Sequence, residues 1–555
     1  MLKKIISLTA SVFITLSLAG CMTTTTTSDV YYDDVSTYVV SGEKQQGNNS
    51  GTTSGNGDSK KPNGGDSKTS SADISASHTT TRKGNSTIDF TPIADKGANY
   101  NVKGTVKIAV DTARPTDFDA MFDVMQKLYP NVNIKFDYWT HNKTDTAAEY
   151  LSARAATGKM ADIIWDDAGC IPSYAMQGWL YPITKFVNAD PEASNIPENL
   201  KADYTYCGEL YALPHQAHFD VNVFNVDLLN KFNLKAPGLK WSFDDYEKYL
   251  NTAAEKGFSQ KLCVGMGNLG NEHIVYGWWL SNSGKNNTSG DKYGQWGYNY
   301  RTNQIDAKYL IEGAKKVREL RVKTGVEAFW EQQQKASNGK SNLENTLGIT
   351  DSTAAWSTGK ALMLTTNTAN TNNTKTKYKF NTKVVPLPNE NGCMSMHVDC
   401  CYITSACSDA NIEAAYQLLR FMTFSSNGNL ARLTMYEDSQ KGKYALNSRI
   451  YYPTTTNKAV LDKFNKLSVA TDVDKYMVSN IPNSSRLDAH KLVPELYDTF
   501  FKDVAPSFNK VINGQDDGSI MNETIANWNK SIKASIDNMN TKIKAEQANF
   551  KKTHK

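Results

Sequence analysis

Residues able to do chemistry come in a few clusters in this chain. Asp166 and Asp167 stand together after an apolar run, and His215 and His218 sit in a polar patch between two apolar runs. Cys393, Cys400, Cys401 and Cys407 follow closely, with His397 among them, and Gly265 to Gly270 spell G-x-G-x-x-G. Glycoside hydrolysis needs two carboxylates about 5–9.5 Å apart across the scissile bond. Adjacent strand residues point to opposite faces, so Asp166 and Asp167 cannot form that pair, while combinations with Asp220 or Asp399 stay open. His215 and His218, three apart on an extended segment, also diverge and make poor joint metal ligands. The cysteines lack C-x-x-C spacing and read as buried free thiols with room for one disulfide. A dinucleotide loop requires a full strand, a helix and an acidic residue about 20 positions on. Only Leu262-Cys263-Val264 precedes these glycines, so they read as a chain turn. G-x-S-x-G, H-E-x-x-H and P-loop motifs are absent from the sequence. The expectation is therefore no enzyme, no cofactor and no metal.

The elements that would position such residues begin late in the chain. Lys3-Lys4 and the apolar run Ile5 to Ala19 form a signal-peptide pattern too short to span a bilayer, and Leu18-Ala19-Gly20-Cys21 resembles the bacterial lipoprotein lipobox. Cleavage before Cys21 and lipidation of its sulfur are implied, with two acyl chains enough for a stable anchor. From Met22 to about Tyr100 the chain is polar and poor in large apolar residues, which predicts a disordered tether with a reach of roughly 50 Å. The whole chain has 555 residues and a net charge of +4, with Lys and Arg dispersed. That length calls for more than one lobe, and the charge pattern excludes a nucleic-acid partner.

Folding is expected from Lys103. Val106, Ile108 and Val110 alternate as a strand; a helix from Asp117 follows, with Met121, Phe122, Met125 and Leu128 on one stripe; then Val132, Ile134, Phe136 and Tyr138 alternate again. This is a β-α-β unit, the start of a parallel sheet. A second helix over about 146–157 with Gly158 as its cap leads to a third strand, Ala161 to Trp165. Further on, Tyr211 to Leu213 is extended up to Pro214, which is expected to close it, and Phe219 to Phe224 alternates as a half-buried strand. Ser242 and Asp245 form a capping box, and an amphipathic helix runs from about Ile520 to Lys552.

Several of these stretches resemble, in matching order, the bacterial extracellular solute-binding proteins of the maltose-binding class. They are Gly158-Lys159-Met160-Ala161-Asp162, Tyr174-Ala175-Met176-Gln177-Gly178-Trp179-Leu180, Tyr211-Ala212-Leu213-Pro214 with Asn225-Val226-Asp227-Leu228, and Gly359-Lys360-Ala361-Leu362-Met363. The resemblance implies an α/β, two-lobed periplasmic-binding-protein-like fold of type II with a hinge of three crossing segments. The crossings are expected at His215–His218, near Pro386 and at about Tyr444 to Tyr451. The implied division is a signal peptide (1–20), a tether (21–100), a first lobe (101–220 with 389–440) and a second lobe (221–388 with 441–555).

In such folds the ligand lies at the carboxyl ends of strands, between lobes that close by hinge motion. The candidate ligand-binding positions are Asp111, Arg114, Trp139, Asp166, Asp167, His218, Trp278, Trp279, Asn367 and Asp399. Indole faces suit the apolar side of a pyranose ring, and carboxylates and amides suit its hydroxyls. The matching position of His218 in maltose-binding protein carries a ligand-facing glutamate, so His218 is expected to serve binding more than stability. Thr366 to Ala369 stand where the family often has a tryptophan. The implied function is capture of an oligosaccharide and its delivery to the permease subunits of an ABC importer. The protein is expected as a monomer, anchored through Cys21 on the outer face of a Gram-positive cell membrane. A tethered carbohydrate-active enzyme and a glycan-sensing lipoprotein are the alternatives.

Overall fold

A computed structural model of the chain describes residues 79–81, 88–111, 115–139, 147–166, 170–267, 291–368, 371, 378–390, 392–441 and 450–554. Cys21, Arg114, Asp167, Trp278 and Trp279 lie outside these, as do most of the tether and residues 444–449. Asp111, Trp139 and Asp166 are described as strand positions, without their side chains.

A ten-stranded sheet organises the molecule. Its strands are β1 (Thr79–Thr81), β2 (Gly104–Asp111), β3 (Val132–Trp139), β4 (Ile163–Asp166), β5 (Leu213–Asn225), β6 (Val264–Gly267), β7 (Ala361–Asn367), β8 (Thr382–Pro386), β9 (Ser395–Ile403) and β10 (Ser485–Arg486). The order is β1-β3-β2-β4-β9-β5-β7-β6, with β8 also on β5 and β10 on β9. β2 runs parallel to β3 and β4, as the β-α-β reading requires, and Val106, Ile108, Ala109 and Val110 are buried from both faces. The helices between these strands span Pro115–Leu128 and Ala147–Thr157. Gly158 and Gly178 take the left-handed conformation, at φ 65° and 69°. The Ser242–Asp245 capping box is formed.

The two lobes share β5. Its first half pairs with β9, from Cys401↔Leu213 to Met396↔Phe219. Its second half pairs with β7, from Asn367↔Asp220 to Met363↔Phe224, and with β8, from Pro386↔Val221 to Thr382↔Asn225. Pro214 does not close a strand, contrary to expectation. It lies within β5 beside a register shift between Asp399 and Cys400, where a residue without an N–H is tolerated. Asn225 ends the strand by capping the next helix through Leu228 N.

Separate hydrophobic clusters fill the lobes. One takes in β2, β3, β4, β9 and helix Ile412–Met422; another joins Phe224, Trp241, Tyr246, Leu250 and Met266. A helical cluster around Trp296, Phe500, Phe508 and Trp528 stands apart. Among the described residues no helix is long and apolar enough to cross a membrane.

Three expectations change here. The tether is shorter than the sequence suggested, because residues 88–101 pack on the first lobe. Asp95 makes a two-pronged ion pair with fully buried Arg420 at 2.8 Å on both arms, and Asn427 bonds Ile93. Residues 451–481 belong to the first lobe's core: Tyr452 packs on Phe219, and Val460, Phe464 and Met477 are buried there. The chain leaves that lobe at β10, which pairs with Ser395 and Met396, so the third crossing falls at Ser485–Arg486. Finally, helix Ser519–Thr553 spans two cores instead of resting on the second lobe. Its Met521, Ile525 and Trp528 join the helical cluster, while Met539 and Ile543 join the first lobe and Phe550 meets Tyr181.

Candidate binding site at the crossing strands

Successive residues of β5 alternate between two faces. One face carries Ala217, Phe219, Val221 and, deeper in the first lobe, His215. There the Trp165 indole donates to His215 Nε2 at 2.6 Å and Arg432 lies against the other ring nitrogen, so His215 is a core histidine. The opposite face carries Gln216, His218, Asp220 and Asn222. Their register neighbours continue it: Asp399 and His397 on β9, with Ser395 beyond, and Asn367 and Thr365 on β7. The result is an unbroken polar strip that starts in one lobe and ends in the other.

Most of the strip is buried, with His218 8% exposed, Asp399 5%, Asp220 2% and Asn222 0%, while His397 and Asn367 are half-buried. The sequence alternation suggested one wet face, so its burial is a correction. Buried polar groups are usually partnered, and here most partner across strands, with Asn222 Nδ2 left without a hydrogen bond. Gln216 Nε2 donates to Asp399 Oδ2 at 2.7 Å, and His218 Nε2 lies 3.0 Å from the same oxygen. Ser395 Oγ donates to Asp220 Oδ2 at 2.8 Å, and Thr365 Oγ1 to Asn222 Oδ1 at 2.7 Å. His397 Nε2 is 3.4 Å from Asp220 Oδ1, and its Nδ1 is 3.9 Å from Asp488 Oδ2. Burial opposes the charge on His397, but Asp220, its hydrogen bond and Asp488 outweigh this and raise its pKa above the usual histidine value. Asp488 also holds Arg486 Nε at 2.7 Å and Lys491 Nζ at 2.8 Å.

Of the predicted positions, the structure brings His218, Asp399 and Asn367 into this strip. Asp111, Trp139 and Asp166 end the parallel strands of the first lobe, Asp111 opposite Trp139 and Asp166 opposite Cys400, next to Asp399. Gln216, Asn222, Ser395, His397, Arg486 and Asp488 were not among the predicted ligand positions. The alternation Gln216, His218, Asp220, Asn222 was the available signal for the first two; Arg486 and Asp488 had none, since their place depends on the third crossing. Gly265 and Gly267 do not turn the chain as expected, and Gly270 lies outside the described residues. Gly265 and Gly267 lie in β6, where a Cβ on Gly267 would stand 2.9 Å from both Ala361 Cβ and Trp356 Cβ, so close packing requires them. The seven cysteines after Cys21 form no disulfide, and among the described residues no group of three or more ligating side chains could hold a metal.

Two lobes sharing a continuous strand, with a polar strip at their junction, define a hinged binding protein. The model of the bacterial extracellular solute-binding protein family matches residues 109–428, and the chain belongs to that family. Solved structures share the fold at low identity. An ABC substrate-binding protein from Listeria monocytogenes in complex with cycloalternan aligns at TM-score 0.54 and 16% identity, over 78% of this chain and 99% of that one. The cyclic alpha-maltosyl-1,6-maltose binding protein of Arthrobacter globiformis aligns at 0.54 and 14%, over 79% and 100%. UgpB from Mycobacterium tuberculosis in complex with glycerophosphocholine aligns at 0.53 and 12%, over 78% and 99%. A search of curated proteins finds no match.

Proposed function

We propose that this protein captures an oligosaccharide between its lobes, over the polar strip of β5, β9 and β7, and hands it to the permease of an ABC importer. The observation that carries this reading is the strip itself. It sets carboxylate, imidazole, amide and hydroxyl groups in fixed directions across the hinge, as recognition of a neutral, hydroxyl-rich ligand requires. The solved relatives include binders of cycloalternan and of a cyclic maltosyl-maltose, and also one of glycerophosphocholine. The charge of the strip favours the first kind. Asp220 and Asp399 lie in it, and the cations Arg486 and Lys491 beside it both pair with Asp488.

In this reading Cys21 carries the lipid anchor at the outer face of a Gram-positive membrane, the polar segment before Ile88 spaces the lobes from the bilayer, and the protein acts as a monomer. Asp111, Arg114, Trp139, Asp166, Asp167, Trp278 and Trp279 complete the walls of the cleft, the tryptophans as stacking platforms. Thermal-shift screening of the chain from residue 22 tests the ligand class. A rise in Tm with one or more oligosaccharides is expected. A rise with glycerophosphodiesters or peptides and with no sugar would overturn the carbohydrate assignment.

A further inference from the structure

His397 sits on the middle of three chain segments that meet at the lobe junction. Its Nε2 faces Asp220 on β5, the first crossing, and its Nδ1 faces Asp488, two residues past the third crossing at β10. A neutral imidazole can hydrogen-bond Asp220 but carries no charge for Asp488; the imidazolium attracts both carboxylates, the second through an ion pair at 3.9 Å. The other charged and titratable groups around it are His218, in register on β5, Asp399 on its own strand, Arg486 on β10 and Lys491 in the following turn. Arg486 and Lys491 both address Asp488. Among the described residues, Asp220 has His397 as its one cationic partner, beside the Ser395 hydroxyl.

We propose that His397 is a proton-operated fastener of the hinge: protonated, it adds charge attraction to Asp220 on the first crossing and to Asp488 beside the third, on top of the strand pairing that joins both crossings to β9; neutral, it loses that attraction and the hinge loosens. The inference rests on the two-lobed fold and not on which ligand the cleft takes. The raised pKa agrees with the geometry. A histidine whose folded-state pKa lies above its unfolded value adds stability that is complete below about pH 6.5 and is lost as pH rises through the folded value. Alkaline conditions therefore loosen the hinge and favour ligand release, and mildly acid conditions favour retention.

Melting of the ligand-free chain and of His397→Gln, from about pH 5.5 to about pH 8.5, tests this, together with small-angle scattering across the same range. Wild type should lose Tm through a step that the variant lacks, and its radius of gyration should grow over that step. Parallel Tm profiles, or a pH-invariant radius, would overturn the proposal. Should the variant fail to fold, NMR titration of the His397 ring in wild type decides: a midpoint above about 6.5 supports the fastener, and one at or below it rejects it.

Discussion

His218 and His397 are register partners on β5 and β9, and each reaches across to a carboxylate on the other's strand: His218 to Asp399 at 3.0 Å, His397 to Asp220 at 3.4 Å. The two pairs cross-link the strands where the lobes meet. Binding and stability are therefore entangled at His218, which the sequence alone assigned to binding. His218→Ala takes the imidazole away from buried Asp399 and should destabilise the empty protein by about 1–3 kcal/mol. Ligand affinity should fall as well. Urea unfolding and calorimetric titration of one preparation check both; a change in neither would remove His218 from the site.

Arg420 fastens the end of the tether to the first lobe. Its guanidinium bonds Asp95 through both arms and Asp190 through Nε at 2.7 Å, with no exposure to solvent. Arg420→Met strands two buried carboxylates and should cost about 3–5 kcal/mol in urea unfolding. Limited proteolysis should then cut within residues 88–101. A loss below about 1 kcal/mol would mean that these carboxylates find other partners.

Gly267 gives a sharper steric test. An added Cβ would meet Ala361 and Trp356 at 2.9 Å, and Trp356 N at 3.0 Å. Gly267→Ala should lower stability by about 1–3 kcal/mol through overpacking and leave the ligand preference unchanged. A cofactor-binding glycine would show the reverse, lost binding with intact stability.

Local patterns in the sequence were legible wherever one residue's neighbours decide its state. Alternation marked β2 and β3, Gly158 marked a helix end, and Ser242 with Asp245 marked a cap. The family motifs then carried the topology, including β5 as a shared strand. What stayed hidden depends on contacts far apart in sequence. Asp95 looks like a solvated tether residue until Arg420, 325 positions on, is folded beneath it. The third crossing was expected at about Tyr444 to Tyr451, mostly outside the described residues; Tyr451 and Tyr452 pack into the first lobe, and little in Ser485-Arg486 announces a strand. The polar strip was half visible. His218, Asp399 and Asn367 were identified singly, but their assembly needs the register of three strands.

The central claim is that one ligand rests on both lobes across the strip. Calorimetric titration of wild type, Asp399→Asn and Asn367→Ala with the sugar giving the largest thermal shift tests it most directly. Asp399 belongs to the first lobe's strand β9 and Asn367 to the second lobe's β7. Loss of a ligand hydrogen bond at either should weaken binding about tenfold, or about 1.4 kcal/mol. Affinity unaltered in both variants, with both still folded, would place the ligand elsewhere.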